Sequence, residues 1–133
     1  TLFPYTTLFR SQVDEGITVS GDEEALRRVL EILLDNAQKY SSPGGETQVT
    51  LHRRGRNHCA LTVANQGEPI PPEARRQIFQ RFYRADPARS RNGSFGLGLS
   101  IAEGIVAQHH GTIDVTCAGG FNRFRAELPC QQE

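Results

Sequence analysis

The chain predicts an α/β (α+β) two-layer domain, a mixed and largely antiparallel five-stranded sheet packed on about three helices. Three observations carry this prediction. Residues 22–40 and a second stretch beginning at Leu97 repeat apolar side chains at helical spacing. Residues 47–53, 58–65, 111–117 and 121–128 read as strands between turn signals. The chain has 133 residues, with 37% hydrophobic and 23% charged, which suits one domain with a real core. Strands and helices in this order place the helices on one face of the sheet.

The elements follow in chain order. Residues 1–12 carry aromatics and threonines with neither period nor cap; they stay unassigned, as a linker remnant or a foreign appended segment. The domain is placed at 13–130, and 131–133 is a tail. Ile17-Thr18-Val19 reads as a short strand. Asp22 offers an N-cap, with Glu23 and Glu24 favourable in the first turn. Leu26, Val29, Leu30, Leu33, Ala37 and Tyr40 then share a helix face, and Ser41-Ser42-Pro43-Gly44-Gly45 ends it. The next two strands are joined by a turn at Arg54-Gly55-Arg56-Asn57. Residues 66–95 form a long, arginine-rich connection with a short helix near 72–82, where Pro72 suits a first turn. Leu97, Ile101, Ala102, Ile105 and Val106 mark the last helix; it closes at His109-His110-Gly111, with glycine taking the left-handed conformation. Ala118-Gly119-Gly120 turns the final strand pair.

Composition narrows the function. Fifteen basic residues balance fifteen acidic ones, which argues against nucleic-acid binding by bulk charge. No apolar run is long enough to span a bilayer. Cys59, Cys117 and Cys130 form no Cys-x-x-Cys pair, so they read as reduced core thiols and suggest no zinc site.

Two segments carry chemistry. Gly93-Ser94-Phe95-Gly96-Leu97-Gly98-Leu99 places glycines directly before a helix. Close backbone approach and free N–H groups at a helix start suit phosphate. The run lacks the Gly-Lys-Ser/Thr ending of a P-loop, and it follows a polar loop where a dinucleotide fingerprint would follow a strand. Asn36, Lys39 and Tyr40 share one helix face: an amide oxygen suits Mg²⁺, an ammonium suits phosphate and a ring can cover a base. The plainer account pairs Lys39 with Asp35 and leaves Asn36 on an exposed face. Asn65, at a strand end two residues before Gly67, could accept a hydrogen bond from an adenine amino group; a simple Asn–Gly turn is the alternative. Arg81, Arg84, Arg89 and Arg91 could reach a triphosphate or remain a solvated loop.

Together these segments resemble the boxes of sensor histidine kinases. Leu33-Leu34-Asp35-Asn36-Ala37-Gln38-Lys39-Tyr40-Ser41 resembles their asparagine box, and Ala64-Asn65-Gln66-Gly67-Glu68-Pro69-Ile70 a degenerate first glycine box. Ile78-Phe79-Gln80-Arg81-Phe82-Tyr83-Arg84-Ala85-Asp86 resembles the phenylalanine box, and residues 93–99 the second glycine box. All four occur in family order, in a form most similar to heavy-metal-sensor-like kinases. The resemblance implies the Bergerat ATP-binding fold with a long ATP lid, and ATP and Mg²⁺ as cofactors. It implies Asn36 on the metal, Lys39 on phosphate as its catalytic partner, and Tyr40 against the nucleotide. It further implies Asn65, Gly67 and Ile70 at the base, and Arg84, Gly96, Leu97, Gly98 and Leu99 toward the phosphates.

Two departures from that pattern stand out. Asn65 replaces the usual aspartate, keeping an acceptor oxygen without its charge. Ile32 stands four residues before Asn36, where the hydrolysing relatives carry a glutamate base. Phosphoryl transfer is therefore expected over hydrolysis. None of His52, His58, His109 and His110 precedes an acidic residue on a helix, so the acceptor histidine is expected on a separate dimerisation and phosphoacceptor domain. The resemblance also implies a response regulator as the downstream partner, and a location in the cytoplasmic portion of a membrane-bound bacterial sensor. A same-fold ATPase, an anti-sigma-type serine kinase and a degenerate nucleotide-binding module remain as alternatives.

Overall fold

A computed structural model describes residues 8–81, 83 and 98–131. Its elements are β1 (Leu8–Val13), α1 (Glu23–Tyr40), β2 (Glu46–Arg54), β3 (His58–Gln66), α2 (Gly98–Gln108), β4 (Thr112–Ala118) and β5 (Phe121–Pro129), with two 3₁₀ turns at Pro72–Ala74 and Gln77–Phe79. The sheet order is β1-β2-β3-β5-β4. Among the described strands only β1 pairs in parallel, with β2; the other three ladders are antiparallel. The expected mixed, largely antiparallel sheet of five strands is thus present.

Helix α1 begins where its cap predicts. Asp22 has extended backbone and its carboxylate accepts from Ala25 N at 3.1 Å, satisfying one of the free N–H groups of the first turn. The face bearing Val29, Leu33 and Ala37 is buried against the sheet and α2. Strand β5 buries alternate residues: Asn122, Phe124, Ala126 and Leu128 point inward, as a half-buried strand requires. Phe124 has no exposed surface and meets Phe79 edge-on, with centroids 6.5 Å apart. A side chain of this size buried fully contributes about 1.5–3 kcal/mol.

Three local expectations are corrected. The strand expected at Ile17-Thr18-Val19 is absent; the chain there carries no ladder, although Ile17 and Val19 pack on the core. The alternation read there reflects packing without pairing. The parallel edge strand is Leu8–Val13, all but its last residue in the segment that had no assignment. Phe9 and Val13 stay more than half exposed, so this strand rests on main-chain pairing and has no buried face for a pattern to reveal.

The helix expected near 72–82 is two 3₁₀ turns that bury Ala74, Ile78 and Phe79. Phe82 lies outside the described residues. At the end of α2 the left-handed residue is His110, at φ +64°, and not Gly111. Gly111 N–H bonds Val106 O and His110 N–H bonds Ala107 O, the paired closure of a Schellman end. Gly111 is required for space: a Cβ there would lie 2.3 Å from Glu127 O.

Helix ends and thiols have specific partners. His109 Nδ1 lies 2.8 Å from Ile105 O, and its Nε2 accepts from Asp22 N at 3.1 Å. The end of α2 is thereby tied to the start of α1. Cys59 is buried, and burial pushes its thiol up to about 11, so it stays neutral at physiological pH, as a core thiol should. Among the described residues no helix is long and apolar enough to cross a membrane.

Candidate functional site

The strand register builds a polar row above the apolar core. One inward layer is Val49–Val63–Phe124–Val115, read across β2, β3, β5 and β4. Two residues toward the carboxyl end of β3, the next layer is Thr47–Asn65–Asn122–Cys117. Thr47, Asn65 and Asn122 have no exposed surface. A buried polar group needs a partner or a ligand. Among the described residues, Thr47 Oγ1 and Asn65 Oδ1 have no hydrogen-bond partner. Of these neighbouring oxygens, the Asn65 amide oxygen can only accept, and the Thr47 hydroxyl can accept or donate.

The carboxyl end of α1 closes over this row. Asn65 Nδ2 donates to Tyr40 O, in the last turn of the helix, at 3.0 Å. That bond leaves Oδ1 as the open atom of the amide. Gly67 lies against the same carbonyl: a Cβ there would sit 2.4 Å from Tyr40 O and 3.1 Å from Asn65 Nδ2. Glycine at this position lets the strand end meet the helix end. Ser42 N–H, just past α1, bonds Gln66 O at 3.0 Å.

One turn before Tyr40, Asn36 is 8% exposed and its Nδ2 has no partner among the described residues. One turn earlier still, Ile32 meets the start of α2, where a Cβ on Gly98 would lie 3.4 Å from Ile32 Cγ2. The amino end of α2 therefore abuts the helix that carries Asn36. The amide oxygen of Asn36 is the kind of hard ligand that suits Mg²⁺.

The predicted site residues divide as follows. Asn36, Tyr40, Asn65, Gly67 and Gly98 gather on the carboxyl half of α1. Ile70 is buried, and its N–H is held by Asn122, directly opposite Asn65. Lys39 Nζ pairs with Asp35 Oδ2 at 3.0 Å, the plainer arrangement that its i,i+4 spacing foretold. Leu99 packs into the core. Arg84, Gly96 and Leu97 lie outside the described residues, as do Arg89 and Arg91. Glu31 is exposed and Ile32 is apolar, so neither supplies a buried carboxylate beside Asn36. The sequence reading missed Thr47 and Asn122. A signal existed for Asn122, an amide in the inward phase of an otherwise apolar alternation.

Gly67→Ala tests the packing at this junction. It is expected to destabilise the chain by about 1–3 kcal/mol, because the methyl group meets backbone and forces the strand end off the helix. Gly104, inside α2 with nothing within 4 Å of a built Cβ, is the control: Gly104→Ala is expected to stabilise by up to ~1 kcal/mol. Denaturant midpoints measured side by side check both. Equal effects would remove the close approach from the account.

Comparison with known proteins places the chain in a family. A family profile described as "Histidine kinase-, DNA gyrase B-, and HSP90-like ATPase" matches residues 21–132. The signal transduction histidine-protein kinase/phosphatase MprB of Mycolicibacterium smegmatis is 49% identical over 107 residues, covering 79% of this chain and 22% of that protein. The sensor histidine kinase CusS of Escherichia coli K12 is 42% identical over 118 residues, covering 88% of this chain and 24% of that protein. The solved structure of a mycobacterial sensor histidine kinase MprB superposes with a TM-score of 0.85 at 32% identity, covering 96% of this chain and 85% of that one. The chain thus spans about a quarter of the length of these two curated relatives.

Proposed function

This chain belongs to the family of histidine kinase-, DNA gyrase B- and HSP90-like ATPases, and from that premise we propose that it is the ATP-binding catalytic part of a two-component sensor histidine kinase. The reaction is transfer of the γ-phosphoryl group of Mg²⁺-bound ATP to a histidine on a separate dimerisation and phosphoacceptor domain. One observation carries the reading: Asn65, buried on β3 against the last turn of α1, donates through its nitrogen to Tyr40 O, one helical turn from the buried Asn36, and keeps its amide oxygen without a protein partner among the described residues.

The chain's own residues have distinct tasks in this reading. Asn65 Oδ1 accepts from the amino group of adenine, and Ile70 and Tyr40 enclose the base. Asn36 holds Mg²⁺ through its amide oxygen, and Lys39 exchanges Asp35 for a phosphate. Arg84 and the glycines at 96 and 98 serve the phosphate end. Bound Mg²⁺ would neutralise charge on the transferring phosphoryl group, which is most of what such a transfer requires. With Ile32 packed on Gly98, the position from which relatives' glutamates activate water holds a hydrocarbon, which favours transfer over hydrolysis. The wider reading places the domain on the cytoplasmic side of a membrane-bound sensor, with a response regulator downstream.

The test is transfer in trans. With Mg²⁺ and γ-labelled ATP, the chain is expected to label a matching phosphoacceptor helix pair in an acid-labile form. Acid-stable label would point to a serine kinase. Rapid phosphate release without acceptor labelling would point to an ATPase. No melting shift at millimolar ATP would leave only a degenerate module.

A further inference from the structure

Asn122 lies in β5 with no exposed surface, and its carboxamide is engaged by two other segments. Oδ1 accepts from Ile70 N at 3.1 Å and from the Cys117 thiol at 2.9 Å. Nδ2 donates to Glu68 O at 2.8 Å. Glu68 and Ile70 flank Pro69, which has no N–H to satisfy. The side-chain amide therefore does for residues 68–70 what a neighbouring strand's peptide would do. Gly67 N–H continues the seam to Gly120 O at 3.1 Å. Beyond the end of β3 the chain has left the ladder, yet it is still held down on the β4–β5 hairpin.

Asn122 is also the direct cross-strand partner of Asn65. One buried residue thus stands beside the open acceptor on β3 and grips the backbone of Ile70. We propose that Asn122 is a positioning residue for the base end of the nucleotide site, fixing the placement of the Ile70 wall relative to Asn65 Oδ1 and so the fit to a purine. The proposal rests on the nucleotide-binding reading above and deepens it. Asn122 acts through Ile70 and Glu68 and needs no contact with the ligand.

The test separates base from phosphate. In the full chain, Asn122→Ala is expected to weaken adenosine and ATP together by at least ~10-fold, since the backbone groups of Glu68 and Ile70 lose the amide that fixes them. Mg²⁺-tripolyphosphate should bind within about twofold of its original affinity, because no phosphate contact depends on Asn122. Equal loss for adenosine and tripolyphosphate would assign Asn122 to general stability and overturn the proposal, as would unchanged adenosine affinity. A second measurement needs no variant: saturating ATP should slow hydrogen exchange at the Ile70 amide of the unaltered chain. Unchanged exchange there, with ATP demonstrably bound, also overturns it. An unaltered chain that binds no ATP brings down the nucleotide reading itself, a result distinct from the other two.

Discussion

Asn36→Ala is expected to abolish Mg²⁺-dependent ATP binding while leaving the fold close to its original stability. The two halves of this expectation have separate physical causes. A ligand atom lost from the inner sphere of Mg²⁺ should weaken the metal-dependent part of binding on the order of 10²-fold or more, beyond what loss of an outer-sphere partner does. Stability should barely move. The Asn36 Nδ2 has no hydrogen bond among the described residues, so the variant loses no internal bond there and sheds a desolvated polar group worth about 1–3 kcal/mol. Alanine also improves helix propensity by up to ~0.7 kcal/mol. These gains offset the small cavity, and the net change should lie within about 1 kcal/mol of zero. Calorimetric titration with ATP, with and without Mg²⁺, checks the first half, and denaturant unfolding the second. Retained Mg²⁺ dependence would move the metal elsewhere; a loss of several kcal/mol would make Asn36 a structural residue.

The same contrast explains what could be read from the sequence. Helix α1 and strand β5 were legible because burial there follows a local period and α1 carries its own cap. The Lys39–Asp35 pair was legible for the same reason, being one helical turn long. Strand β1 was not, since an exposed edge strand leaves no hydrophobic signature. The glycine at 111 was legible as a requirement but not as to its cause. Sequence cannot distinguish a glycine needed for positive φ from one needed because backbone lies 2.3 Å from its missing Cβ.

The candidate site divides between local motifs and long-range register on similar grounds. Asn36, Tyr40, Asn65 and Gly67 stood out because each sits in a short motif. The row Thr47–Asn65–Asn122–Cys117 exists only through the register of two hairpins, β2–β3 and β4–β5, that are distant from each other in sequence. No local window contains it. This buried polar row is therefore a property of the fold, visible only once strands are paired.

Asn65→Asp, which restores the residue usual in the resembling kinases, is expected to harm this chain in a pH-dependent way. The amide donates through Nδ2 to Tyr40 O at 3.0 Å. An aspartate places an oxygen there, and the site has no exposed surface to solvate its charge. The folded state therefore disfavours the carboxylate, and the pKa of the introduced carboxyl would rise above the unfolded value of about 3.9. The sign follows directly. Below about pH 4 both states are protonated, the carboxylic acid O–H replaces the lost donor to Tyr40 O, and stability should approach that of the unaltered chain. As pH rises the unfolded variant ionises first, so stability falls by about 1.4 kcal/mol per pH unit until the folded carboxyl titrates. Near pH 8 the deficit should reach about 3 kcal/mol, the scale for an uncompensated buried charge. ATP affinity at that pH should drop on the order of 10-fold, because the displaced strand end no longer aims an acceptor at the base. Urea unfolding of both chains at pH 5 and pH 8 reads the difference. A deficit independent of pH, or tighter ATP binding at undiminished stability, would mean that the introduced carboxylate is solvated or paired in the folded chain and that the Asn65–Tyr40 bond does not hold the strand end to α1.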